Sequence, residues 1–220
     1  MADEKIKKND FIEIEFTGKI KDSNEIFDTN IKEDAKKANF DLKEESLKPF
    51  VLAIGQGMLV KGLDEKLEGK EIGEYVIELN QEEAFGKRNP SLVRMLPLRI
   101  FIEQKIYPQK GMQLALDGML TKIVSVTGGR VLADFNNPLA GKAVIYEIKI
   151  LRKIEKQEEK INALQDFFFK KIFPFSVNEK DKKIIFSLRK EEQSFAPLAK
   201  FYEKSFKESL GLEVEMKIEE

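Results

Sequence analysis

Residues 51–74 read VLAIGQGMLVKGLDEKLEGKEIGE and carry three structural signals in succession. The run 50–54 (FVLAI) is short and apolar, as a buried strand is. Gly55 and Gly57 interrupt it. Apolar residues then fall at 59, 60, 63 and 67, which is helical spacing, and Gly69 stands where a helix stops. Residues 74–79 (EYVIEL) alternate again and predict a strand.

Working outward toward the N-terminus, residues 10–20 (DFIEIEFTGKI) alternate. Ile12, Ile14 and Phe16 share one face of a half-buried strand, with Phe11, Glu13 and Glu15 opposite. DSN at 22–24 is a turn and EIFDT at 25–29 a short strand. Residues 30–48 are charged and irregular, and are expected to form a loop with one helical turn. Toward the C-terminus, NNPLAGK at 136–142 is a loop. AVIYEIKIL at 143–151 is a long strand with Val144, Tyr146, Ile148 and Ile150 on one face.

Between these parts, residues 87–134 change character: Arg, Pro, Met and long aliphatics dominate. Pro97 is placed to open a short helix. MQLAL, MLTKIVSV and RVLADF read as three strands, joined at Asp117-Gly118 and Gly128-Gly129 by hairpin dipeptides. From 152 onward the period turns helical, with Ile154, Ile161, Leu164, Phe168 and Ile172 spaced along one helix until Pro174 stops it. KKIIFSL at 182–188 is a strand. A second helix follows, with Ser194 as N-cap and Gly211 after its end, and LEVEMKI at 212–218 is a last strand. Residues 155–220 are thus predicted to fold as αβαβ.

Composition removes most chemistry. The 220 residues include no Cys and no His, which excludes disulfides, thiolate nucleophiles, Ser-His-Asp triads and the usual zinc ligands. Lys+Arg (38) and Asp+Glu (39) cancel to a net charge of -1, so no broad basic footprint for nucleic acid is present. Dense Lys and Glu without Cys or Trp resembles the surfaces of heat-adapted proteins. The polar start MADEKIKKND is unlike a signal peptide, and no apolar run approaches the roughly 18 residues of a membrane span. A cytoplasmic protein is expected, with no membrane or nucleic-acid partner, no cofactor and no metal.

Several stretches, in this order, resemble the FKBP-type peptidyl-prolyl isomerases. FTG at 16–18 with IFDT at 26–29 is similar to the family's opening, and 51–74 to its strand–loop–helix segment. AFG at 84–86 stands where the family has Ala-Tyr-Gly, and 136–150 resembles the Asn-x-Pro-Leu-Ala-Gly-Lys segment and final strand of SlyD-type members. The interruption at 87–134 resembles their insert-in-flap domain. The extension after 154 resembles the long archaeal FKBP-type chaperones by layout alone. The resemblance implies an α+β fold: an antiparallel half-barrel around a helix (1–86 and 135–154), a β-rich insert (87–134), and a C-terminal domain (155–220) serving dimerisation or client binding.

The resemblance further implies a proline pocket lined by Phe16, Phe27, Asp28, Leu59, Val60, Leu63, Phe85 and Tyr146. Phe16 and Phe85 stand where the family usually has Tyr, so two hydroxyls are missing. Leu63 replaces the Trp common in eukaryotic members. Taken singly, such aromatics are ordinary core residues, and Asp28 an ordinary turn residue; it is their joint position that carries the assignment. Isomerisation makes and breaks no bond, so a chain without His or Cys is compatible with it. In the insert, Leu92, Val93, Met95, Leu96, Ile100 and Phe101, with Leu98 and Ile102, crowd together beyond what a small core needs, and are expected to offer unfolded clients an apolar groove. Phe167, Phe168 and Phe169 cannot share one helix face. They imply either contact with a partner subunit or client, or a helix covered on two sides. The expected activity is a two-function isomerase and chaperone acting on unfolded or proline-containing polypeptides. The alternative is a holdase with a disabled pocket, and a third reading makes 155–220 an assembly module for a homodimer.

Overall fold

One strand, β1 (Phe11–Ile20), organises the larger part of the chain, because three others pair with it. The structure is a computed structural model and describes residues 5–219. In chain order β1 is followed by β2 (Ile26–Thr29), α1 (Lys32–Lys37), β3 (Phe50–Ala53), α2 (Lys61–Leu67) and β4 (Gly73–Leu79). Then come β5 (Val93–Pro97), α3 (Leu98–Glu103), β6 (Gln113–Leu116), β7 (Met119–Thr127) and β8 (Arg130–Asp134). The chain ends with β9 (Val144–Lys153), α4 (Gln157–Phe169), β10 (Phe175–Asn178), β11 (Lys183–Leu188), α5 (Ala196–Leu210) and β12 (Glu213–Ile218). The chain divides into two compact units: residues 1–79 with 144–220, and residues 80–143.

In the first unit β2, β1, β9 and β4 lie side by side, all antiparallel, and β3 pairs with the first half of β1. Ile12, Ile14, Val144, Tyr146, Ile148 and Ile150 are buried, as their alternation predicts. Leu63 and Leu67 are the buried side of α2. Phe11 departs from the expected pattern: it is as buried as Ile12 on the opposite face. The reason is tertiary. Phe11 lies beneath Lys160 of α4, 5.8 Å from its ring centre, and its carbonyl accepts from Ile154 N–H at 2.8 Å.

The C-terminal part of this unit is a three-stranded sheet, β10-β11-β12, with two helices. β11 and β12 are parallel, and α5 makes the crossover between them. Its core is aromatic: Phe169 stacks on Phe206 at 5.9 Å and meets Phe186 edge-on at 5.9 Å. The predicted αβαβ order is therefore corrected to αββαβ. β10 has only four residues, which left no periodic signal. The first helix also ends earlier than predicted, at Lys170 in a left-handed conformation (φ 53°), so Ile172 lies outside it and is exposed. Ser194 is not the cap of α5. It lies inside a 3₁₀ turn, Lys190–Phe195, that runs directly into the helix. Phe167, Phe168 and Phe169 all find rings within the chain: Phe50, Tyr202 and Phe206 respectively.

In the second unit the strands lie in the order β5-β8-β7-β6, all antiparallel. Both predicted hairpin dipeptides form. Asp117 and Gly118 have φ of 50° and 75°, and Gly128 and Gly129 have 58° and 74°, the positive angles that a tight two-residue hairpin requires. β5 itself was hidden in the sequence by the surrounding run of aliphatics. Phe101, Ile123, Val131, Ala133 and Phe135 form the core under α3.

Gln165 is wholly buried, and its Oε1 accepts the N–H of Phe173 at 2.9 Å, closing the loop from α4 to β10. Gln165→Leu keeps the volume but orphans that donor. Urea unfolding should show a loss of about 1–3 kcal/mol; an unchanged midpoint would mean the loop is held by other contacts.

Candidate active site

Phe16, Phe27 and Tyr146 come from three adjacent strands and meet as rings. Phe27 and Tyr146 are edge-to-face at 5.7 Å, and Phe16 lies 6.3 Å from Tyr146. What lets them meet is Gly18. It pairs with Asp28 on one side and Tyr146 on the other. A Cβ at Gly18 would sit 2.7 Å from Phe27 Cζ and 3.1 Å from Tyr146 Cε1, so the rings occupy the space a side chain would need.

A group of buried polar residues fixes Phe16 and Phe27, and it went unread in the sequence. Asn30 accepts from Phe16 N–H at 2.7 Å and donates to the carbonyls of Ile14 and Lys48. The Thr29 hydroxyl lies 2.9 Å from both the Phe16 carbonyl and Thr17 Oγ1, and Thr17 in turn donates to Asp34 at 2.7 Å. Thr17, Thr29 and Asn30 are all buried. Apolar alternation gives no sign of them: Thr17 lies on the face opposite Ile14 and Phe16, and Asn30 follows the end of β2.

Asp28 lies beside these rings, accessible on one side. Partial burial raises its carboxyl pKa above the usual value, against the pull of the Thr29 N–H. Burial also pushes the Tyr146 phenol up, and the negative charge of Asp28 adds to it. The phenol therefore stays protonated at every physiological pH and remains a hydrogen-bond donor.

Leu63 is buried on α2, and Leu59 and Val60 are half-buried on the turn entering that helix. Asp64, also unread in the sequence, holds this turn. Its Oδ1 accepts from Gly55 N–H at 2.9 Å, and Gly57 N–H bonds it too; burial raises its pKa. Phe85, expected at the same pocket, belongs to the second unit, half-buried on the turn that follows Asn80. A separate cavity of about 400 Å³ runs along Glu15, Glu147, Lys149, Glu74 and Val76, residues of β1, β9 and β4 that alternate with those carrying the rings, and it is not this site.

In the insert, the predicted client residues divide. Met95 (59% exposed) and Ile100 are on the surface, Val93 is half-buried, and Leu92 and Leu96 pack on the core. Phe101 corrects the prediction: at 1% exposure it is the centre of the core. On α3 it faces the sheet while Ile100 and Ile102 flank it outward. Tyr107, Met112, Met119 and Leu120 are exposed and were not predicted.

Comparison with known proteins gives the family. Residues 2–97 match the family described as FKBP-type peptidyl-prolyl cis-trans isomerase, and residues 94–139 match the FKBP26 IF domain. A short-type peptidyl-prolyl cis-trans isomerase of Methanocaldococcus jannaschii is 32% identical over 146 residues, covering 66% of this chain and 92% of that protein. The chain belongs to the FKBP-type peptidyl-prolyl cis-trans isomerases. The FKBP-type 16 kDa isomerase of Escherichia coli K12 is also 32% identical, over 110 residues (47% of this chain, 73% of that one). The SlyD isomerase of Pasteurella multocida is 28% identical over 120 residues, 51% and 59% of the two chains. As an FKBP-type isomerase, the chain rotates X-Pro bonds. Among the described residues no acidic cluster could hold a metal, and no helix is long and apolar enough to cross a membrane.

Two measurements probe this site. Gly18→Ala should displace Phe27 and lower kcat/KM by about ten- to a hundredfold in a protease-free isomerisation assay, because small misplacements at a reacting centre are costly. The charge on Asp28 opposes folding, since its pKa is raised in the folded state. Asp28→Asn should therefore raise the melting temperature at pH 7. That gain should shrink as the pH falls through the raised pKa and vanish below 3.8, where both side chains are neutral. A gain that grew with acidity would contradict the assignment.

Proposed function

We propose that this isomerase is also a chaperone, with X-Pro rotation in the Phe16–Phe27–Tyr146 cluster and unfolded clients held by the insert. Rotation must overcome a barrier of about 18–20 kcal/mol, which comes from amide resonance. The twisted amide is less polar than the planar one, so a water-poor aromatic surface favours it. Phe16, Phe27, Leu63 and Tyr146 supply that surface, and the Leu59–Val60 turn positions the peptide. Asp28 orients the substrate carbonyl or a pocket hydroxyl.

The observation that carries the client-holding half is the distribution of apolar surface. Of the fourteen exposed large apolar side chains among the described residues, seven lie between 95 and 120. Three of them are Met, whose side chains adapt to varied partners. Scattered singly they would need no explanation, but they are gathered in one small domain.

The test compares a short proline tetrapeptide with a protein whose refolding is limited by proline isomerisation. Asp28→Ala should slow both. Met95→Gln with Leu120→Gln should lower the ratio of protein rate to peptide rate by about threefold or more and weaken suppression of client aggregation. An unchanged rate in Asp28→Ala would remove Asp28 from the pocket, and an unchanged ratio in the double variant would remove the chaperone half.

A second reading concerns assembly. Phe201 is 75% exposed on α5, with Leu198 one turn before it. Such a face supports a homodimer through the C-terminal region. Light scattering over a range of concentrations should show a dimer that Phe201→Glu dissociates; a strict monomer overturns it.

A further inference from the structure

The open face of the insert sheet carries charge as well as apolar surface, and the charge has one sign. Between residues 80 and 143 there are nine Lys and Arg against five Asp and Glu. That is +4 on a chain whose total is -1, so the rest of the chain carries -5. From 104 to 133 the only acidic residue is Asp117, at a hairpin tip, against Lys105, Lys110, Lys122 and Arg130. Among the described residues none of these four cations has a carboxylate partner.

The register places two of them with the apolar side chains. Leu96, Val131, Ala133 and Ile123 turn toward Phe101. The alternate residues, Met95, Leu132, Leu120, Lys122 and Arg130, turn to the other face. Arg130 Nη1 lies 3.6 Å from Met95 Sδ. Asp134 also belongs to the strand positions of this face, but it is buried and held by Arg88 and Asn136. An antiparallel sheet with one solvated face ordinarily alternates apolar-in, polar-out. Here the outward face mixes apolar and cationic side chains and offers no free carboxylate.

We propose that this face selects unfolded segments in which Asp or Glu stands within a few residues of apolar side chains. The inference rests on the reading that the insert holds clients, and adds which clients. Apolar residues of the segment lie on Met95, Leu132 and Leu120, and its carboxylates meet Lys122 and Arg130. A segment carrying Lys or Arg at the same places meets like charge instead.

The test uses the full chain and two dye-labelled peptides with the same proline-free Leu/Phe core, one flanked by Asp and one by Lys. The absence of proline keeps them from the isomerase pocket. Fluorescence anisotropy at about 50 mM salt should show the acidic peptide binding about three- to tenfold more tightly, with the difference shrinking at about 500 mM as the charges are screened. Lys122→Glu with Arg130→Glu should reverse the order. Lys122→Gln with Arg130→Gln should bring the two peptides close to parity, and carries the test if the charge reversal unfolds the insert. Equal affinities in the unaltered protein, or an order unmoved by these substitutions, overturn the selectivity and leave client holding in place. Failure of both peptides to bind overturns client holding as well. Tighter binding of poly(U) RNA that displaces the acidic peptide assigns the face to nucleic acid and overturns the proposal.

Discussion

The ring cluster of the candidate site depends on the bare backbone at Gly18. Phe27 and Tyr146 can touch only because nothing projects from β1 between them. β1 must meanwhile hold β2, β3 and β9 in register, and its pairing with β2 shifts beside Gly18. The buried hydrogen bonds of Thr17, Thr29 and Asn30 keep β2 against β1 in the regular stretch just before that shift. Ring geometry, strand register and the polar group thus form one arrangement, and a change in any of them moves Phe27.

That arrangement suits a reaction in which the environment is the catalyst. With no His and no Cys, the chain has few groups to lend protons near neutral pH. It places a partly desolvated carboxylate next to a phenol held neutral, in an aromatic setting. Keeping Asp28 charged there opposes folding, a cost of the kind that functional sites commonly carry.

Much of the fold could be read from the chain because its strands alternate and its turns carry glycine. β1, β4 and β9 and the two insert hairpins are where the pattern puts them. The failures share a cause: contacts with parts of the chain distant in sequence. Phe11 is buried by α4, far along the chain, and Phe101 is buried because α3 turns it onto strands that follow. β10 and the early end of α4 depend on Gln165 closing a loop. The rings of the site were found through family resemblance. The residues that hold them, Thr17, Thr29, Asn30 and Asp64, interact through hydrogen bonds, to which a reading of apolar periodicity is blind.

The pairing of β1 with β9 has a further consequence, for the order in which the chain folds as it is synthesised. Ile12 pairs with Lys153, and the whole insert lies between them. The sheet built on β1 and β9 is thus of high contact order, unable to form in full until the ribosome has passed β9. Among the described residues the insert's strands pair only with one another, Val93 with Asp134 being the widest pair, about 40 residues apart. It can complete its sheet while the first unit still lacks β9. The domain with exposed apolar surface is therefore formed first, and the nascent enzyme must keep its own unfinished strands off that surface.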